Sequence, residues 1–595
     1  MKRCPLALIS LSVALAMAFA LSLPTPVLAA KPDGLEIERP KPEQDSGFRK
    51  AGKAILDVQK ALSDMGYYLG SINGHLNSDT RAAIRVYQQG AGLAVDGKVS
   101  RHLWDLLTNA VEIHNLLKRL DNVRTSGKTE ARKALLAHPA TRDLITDRSD
   151  EKADPKRDAS ACFAAPTVRC LIDAALANVK AVFKPELRDW ALSEILVAQS
   201  RAGLNQAAME TAARMTDPRL IIVALRDIAE GQATAGNGDA ARDAVGIIPD
   251  VKKRADALVS IAEIQTQRGV FTEARKSIAQ LNTLLDKVGS GAKRISLETR
   301  IAVMLAKAGD HADAADLLAR AETWARTKVA GTERGVALRH VAAALAETER
   351  PDQALGVLND INASSERTSV LISTATAQAQ AGDAAAALAI ADSIDAVRYR
   401  AVLLGKIALS QAISGHFENA ETTLQTAIAA IDKIGLPYAR AFALSRIALT
   451  MSKVGALLPS QAEETSANQT PTGWSRFTKA AELAGGIEDN RLKAHALWSI
   501  SADQRRSGDL EGGKTTERLA DAASAKIKSR LTRVWMFAEL ATDQARSGDM
   551  EMSWRTLRRG LDNSEAIDNS WGQARALAKL AQTMVEMVAL DTPQQ

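Results

Sequence analysis

Gly508, Gly513, Lys514 and Thr515, within GDLEGGKTTER (508–518), satisfy the spacing G-x-x-x-x-G-K-[ST]. In that pattern backbone N–H groups wrap phosphate oxygens, the lysine neutralises them and the hydroxyl meets a metal ion. The chemistry also needs a buried β-strand ahead of the first glycine, and here AHALWSISADQRRS precedes it with helical spacing. No nucleotide is therefore expected, and Lys514 reads as a residue of a solvated helix. Other candidates are equally weak. The eight histidines (75, 102, 114, 138, 311, 340, 416 and 495) form no H-E-x-x-H. Paired acids such as Asp313 and Asp316 read as the wet face of an amphipathic helix. No catalytic residue, metal ligand or cofactor is expected, and the chain does not read as an enzyme.

Cys162 and Cys170 are too widely spaced for a C-x-x-C pair and have no histidine beside them. A local disulfide is the reading for an oxidising compartment, two free thiols being the alternative. Closing so short a loop stabilises by roughly 2.5 kcal/mol in the chain-entropy model.

The start of the chain speaks for such a compartment. Lys2 and Arg3, a long apolar run and Val27-Leu28-Ala29 make residues 1–30 a secretory signal, with an uncleaved anchor as the alternative. No later stretch is long and apolar enough to span a bilayer. The expected product is exported, periplasmic or secreted. Its 76 basic and 70 acidic residues are interspersed, which argues against a nucleic-acid partner. Aromatic residues are only 4%, so helices packed through alanine are favoured over aromatic-rich sheets.

After a Pro- and charge-rich linker (31–50), Ile55, Val58, Leu62 and Met65 recur at helical spacing, with Gly66 as a stop. Asn73-Gly74 marks a turn, Ser78 is the expected cap of a second helix, and SRHLWDLL gives a third. Residues 51–110 thus read as a three-helix bundle. Gln59, Leu62, Gly66-Tyr67, Gly70, Asn73-Gly74, Thr80, Ala83-Ile84, Tyr87-Gln88, Gly92-Leu93 and Asp96-Gly97 follow one another in an order and spacing that resembles the peptidoglycan-binding domain of type 1. Asn77, Ser100 and Leu103 depart from that family's pattern. The resemblance implies non-catalytic attachment to the bacterial wall. Tyr67 and Tyr68 would stack on sugar or stem peptide, while Asn73, Thr80, Gln88 and Asp96 would supply hydrogen bonds. Each has a structural alternative: core tyrosines, a turn former, a first-turn residue and a loop brace.

A charged, partly helical linker is expected over 111–160, and one pattern then recurs over 161–595. A turn glycine stands at 203, 236, 269, 309, 382, 415, 455, 508 and 548, with Glu349 once in its place. A small residue sits seven positions earlier in all but the first unit, and alanine five positions later in most. This resembles a divergent tetratricopeptide repeat, two helices brought close by small residues. Turn spacing is 33 or mostly 40 residues, and seven extra residues are about two helical turns. Glutamine recurs four positions before the turn at 199, 232, 265, 378, 411, 504 and 544, reading as a structural amide bonded to backbone or as a binding stripe. Residues 456–480 read as a polar, loop-like insertion and QARALAKLAQTMVEMVAL as a terminal cap.

The expected fold is all-α, a small three-helix bundle followed by an α-solenoid. The expected function is an exported envelope protein that binds peptidoglycan through the bundle and docks envelope proteins on a long concave repeat surface. A peptidoglycan hydrolase or its accessory subunit, and a spacer without wall binding, are the alternatives.

Overall fold

The computed structural model describes residues 51–145, 152–154, 159–458 and 472–591. The secretory signal and the 31–50 linker lie outside them. The described residues form α-helices with two short 3-10 turns and no strands, and divide into two compact units, 1–130 and 131–595.

In the first unit, α1 (Ala51–Asp64), α2 (Ser78–Gly90) and the opening of α3 (Arg101–Ala137) bury Val58, Leu62, Tyr68, Ala83, Ile84, Leu103 and Leu107 against one another. The cap of α2 is Asn77, one residue before the expected Ser78. Its carboxamide oxygen accepts from the N–H and the hydroxyl of Thr80 at 2.8 and 2.7 Å. Ser100 caps α3, its hydroxyl accepting from the N–H of Leu103 at 3.1 Å, so the serine has a use there. The third helix is far longer than SRHLWDLL. Nothing between Arg101 and Ala137 is a proline, and Pro139 ends the run.

The second unit is the repeat array. Gly203, Gly236, Gly269, Gly309, Gly382, Gly415, Gly508 and Gly548 have positive φ, and Glu349 takes the same conformation at φ 63°. Each turn closes in the same way. At the first, the N–H of Leu204 donates to Gln199 O at 2.8 Å and that of Gly203 to Ser200 O at 3.0 Å, a left-handed helix cap. The residues seven before and five after the turns are buried almost completely, which is what lets paired helices approach closely. The helix ahead of the turn is nearly constant at 16–17 residues from Pro185–Arg201 to Val397–Ile413. The length variation falls on the helix after it. Asn205–Ala212 and Gly238–Gly246 in the short units become His311–Thr327 and Phe417–Ile431 in the long ones.

Gly455 is not a turn. It lies buried inside Pro437–Leu457, where an added Cβ would sit 3.2 Å from Gly473 O and 3.3 Å from Phe477 Cε1. The next helix, Thr472–Gly485, packs there with Phe477 fully buried, so 472–480 is helix rather than loop. Residues 459–471 of the expected insertion lie outside the described residues.

The C-terminal segment does more than cap. Ser570–Asp591 packs against Arg530–Arg546 before it, and also against Val168–Val179 and Pro185–Arg201 at the start of the array. Val168–Val179 thereby becomes the second helix of a unit whose first helix comes from the other end of the chain. Arg575 Nε and Nη2 donate to Glu194 Oε1 at 2.8 and 2.7 Å, and Gln582 Nε2 donates to Glu194 O at 2.8 Å. Trp190 and Trp571 meet edge to face at 5.5 Å, with Arg575 over both rings. The solenoid is therefore a closed ring. Cys162 and Cys170, Cα atoms 5.8 Å apart, are disulfide-bonded beside this seam, and Phe163 O accepts from Arg558 of the last full unit.

Candidate functional site

In the bundle, two glutamines organise the two loops. Gln59 on α1 accepts at Oε1 from the N–H groups of Asn73 (3.0 Å) and Gly74 (2.9 Å), and donates from Nε2 to His75 O (3.0 Å) and Thr80 Oγ1 (2.9 Å). Gln88 on α2 repeats the device, accepting from Asp96 N (3.1 Å) and Gly97 N (2.9 Å) and donating to Asp96 Oδ1 (2.8 Å). Each amide holds an Asx-Gly turn. At the first, Gly74 has φ 76° and a Cβ would stand 2.8 Å from Gly52 O.

These bonds sort the expected ligand contacts. Tyr68 is not an exposed stacking ring: it is 2% exposed and its hydroxyl donates to Ser71 O at 2.9 Å. Thr80 and Gln88 are likewise buried, and their polar atoms serve the loops. Three of the six face solvent. Tyr67 is 42% exposed and stands edge-on to Tyr87 at 5.7 Å. Asn73 is exposed, its oxygen accepting from His75 N at 3.0 Å. Asp96 is exposed, and the N–H of Lys98 and the Gln88 amide hold its carboxyl below the ordinary carboxylate range. Burial, aided by Tyr67, raises the phenol of Tyr87. Gln59 was legible only as a family match; the repeated partnership of a helical glutamine with a later Asx-Gly is the sequence sign of its role.

In the array, the phosphate-loop pattern lies on a repeat turn. Gly508 has φ 85°, while Gly513, Lys514 and Thr515 lie in Leu510–Ala525. Lys514 Nζ pairs with Glu511 at 2.7 Å, and Thr515 Oγ1 donates to Glu511 O at 3.0 Å. The backbone that would cradle phosphate is occupied in helix. Six of the ladder glutamines are at most 5% exposed, and Gln378 is half-buried. Their side-chain bonds go to side chains rather than to backbone: Asn237 Nδ2 to Gln232 Oε1, Ser277 Oγ to Gln265 Oε1, and Gln504 Nε2 to Asp509 Oδ2. Backbone enters through the main-chain carbonyl of each glutamine, which accepts the turn's closing bond.

The inner face follows from packing. The helix ahead of each turn packs on its counterpart in the next unit all round the ring, whereas the following helices carry a fully exposed outer face. The residue seven before the turn faces its partner helix, as Ser501 Oγ does in donating to Gly513 O at 2.8 Å. The residue nine before it lies about 200° round the helix and faces the interior. That position holds Glu194, Asp227, Ser260, Arg300, His340, Ser373, Lys406, Arg446, Ser499 and Glu539 in successive units. Arg300 pairs with Glu263 and Arg226 with Asp227. Burial, then Arg339, lowers His340 to about 4. Among the described residues no group of three or more His, Cys, Asp or Glu side chains is placed to hold a metal ion, and no helix is long and apolar enough to cross a membrane.

Residues 51–107 match the family model described as "Putative peptidoglycan binding domain". No curated protein matches the chain. Among solved structures, a circular tandem repeat protein "with novel repeat topology and enhanced subunit contact surfaces" is 13% identical, with 91% of this chain and 97% of that one covered, at a TM-score of 0.16. Residues 51–107 are thus a peptidoglycan-binding-type bundle, and the chain's own paired helices make the second unit a helical-repeat array.

Proposed function

We propose that this is an exported envelope protein whose bundle fastens it to peptidoglycan and whose ring is a docking scaffold for other envelope proteins. The family match confined to residues 51–107 carries the first half. Tyr67, Asn73 and Asp96 supply the wall contact: a ring edge, an amide and a carboxylate, all open to solvent. Tyr68, Thr80, Gln88 and Gln59 position them. The matched family is one of binding domains, in keeping with a non-catalytic role. The ring supplies a rigid surface on which each unit presents its own side chains at fixed register. Export through residues 1–30 would bring the bundle to its ligand.

The test is co-sedimentation with purified sacculi. The full chain should pellet, a chain beginning at Ala131 should remain in solution, and Tyr67→Ala with Asp96→Ala should weaken pelleting about tenfold, as loss of a stacking ring and a charged acceptor would. Equal pelleting of the full and shortened chains would remove the tether.

A further inference from the structure

Two adjacent inner helices differ from the other inner helices. Val397–Ile413 and Pro437–Leu457 contain no Asp or Glu, yet carry Arg398, Arg400, Lys406, Arg440, Arg446 and Lys453. Every other inner helix has at least one acid. The two pack closely, since a Cβ on Gly405 would stand 2.6 Å from Ile447 Cδ1.

Their interior faces are laid out in register. Tyr399, Lys406 and Ile413 recur every seven residues, one straight stripe with steps of about 10 Å. On the neighbour, Phe442 and Tyr438 stand four and eight residues before Arg446, about 40° and 80° round the helix from it. Tyr399 is 42% exposed, Ile413 59%, Tyr438 61% and Phe442 42%. Arg446 is exposed and Lys406 half-buried, and among the described residues neither has an ion-pair partner. Burial and mutual repulsion lower the pKa of Lys406. Arg446 is lowered by burial. Asp543, the acid that opposes this, lies two inner helices away and pairs with Arg546 at 3.6 Å. Elsewhere on the inner face, Arg300 and Arg575 each meet a carboxylate directly.

Uncompensated cations flanked by open aromatic and aliphatic side chains want a ligand that brings both charge and apolar surface. We infer that the interior face of Val397–Ile413 and Pro437–Leu457 is a docking site for an acidic segment of a partner protein, its carboxylates on Lys406 and Arg446 and its apolar side chains on Tyr399, Ile413, Tyr438 and Phe442. This rests on the scaffold reading and names the chemistry of the partner. Ile413 and Phe442 offer nothing to sugar hydroxyls, which favours a peptide over a glycan.

The test uses the full chain and fluorescence anisotropy of a labelled twelve-residue peptide of repeating Glu-Phe-Glu-Leu, beside the same peptide with every Glu replaced by Gln. The acidic peptide should bind and the Gln peptide should not. Lys406→Gln with Arg446→Gln, and separately Tyr438→Ser with Phe442→Ser, should each weaken binding about tenfold. Lys514→Gln, on an outer helix, should not, and thermal melts should show all three forms folded. Equal affinity for the two peptides, or no binding by the wild type, overturns the site. Binding undiminished in both double variants also overturns it, and leaves the scaffold reading standing on another surface. Wall pelleting is indifferent to all of these variants, so the tether is judged separately.

Discussion

The bundle and the ring both bury glutamines, and use them in opposite ways. In the bundle, Gln59 and Gln88 spend the side-chain amide on loop backbone: each takes two N–H groups and returns a donor. In the ring, the main-chain carbonyl closes the turn and the side chain merely fits. Gln199 Oε1, Gln265 Nε2, Gln411 Oε1, Gln504 Oε1 and Gln544 Oε1 are buried without a protein partner. A small domain has little apolar surface to bury, so its loops are held by saturated polar bonds. A closed ring of helix pairs has alanine packing throughout, and tolerates an amide half satisfied.

The largest expected effect is therefore in the bundle. Gln59→Ala strands two N–H groups and Thr80, and should cost about 3 kcal/mol, enough to unfold most of a sixty-residue bundle. Urea melting followed by Tyr67 and Trp104 fluorescence would read it; a loss below about 1 kcal/mol would break the contrast. Acid should next separate the regions. His340 sits near 4 in the ring against 6.5 when free. As pH falls, the unfolded chain takes up this proton first, so the contribution is whole above about 6.5 and lost progressively towards 4. After allowance for screening that is about 1–2 kcal/mol, absent in His340→Gln. Melting the two forms at pH 7 and 4.5 checks the sign; an equal drop in both removes the role of His340. Gln265→Ala, which loses one good bond and one unpartnered atom, should cost about 1 kcal/mol, well under Gln59→Ala. A larger loss than Gln59→Ala would reverse the comparison. Smallest of all, Lys514→Ala should change stability by less than about 0.5 kcal/mol, with no nucleotide-dependent shift in Tm before or after.

Much of this was legible because its causes are local. A helix cap in left-handed conformation asks for glycine, so the turns are printed at 203, 236, 269 and onward, and the small residues around them mark where two helices touch. Asx-Gly turns and period-3.6 runs mark the bundle just as directly. The phosphate-loop spelling was exposed as a turn by its neighbours alone. Local reasoning failed where a distant element decides. Gly455 keeps the repeat's register but is helical, because Gly473 and Phe477 need its missing side chain. Tyr68 looked like its exposed neighbour Tyr67 until α2 placed Thr80 beside its hydroxyl, 3.4 Å away.

The sequence by itself determined helix, turn and unit length, and the family of the bundle, since these follow from backbone conformation and side-chain periodicity within one unit. Only the tertiary structure decided that the array closes. Glu194 and Arg575 are 381 residues apart, and nothing near either one announces the other. Closure also decided which faces became an interior. Two helices without an acid are unremarkable along the chain; set side by side around a ring, they leave cations facing inward with no carboxylate of their own.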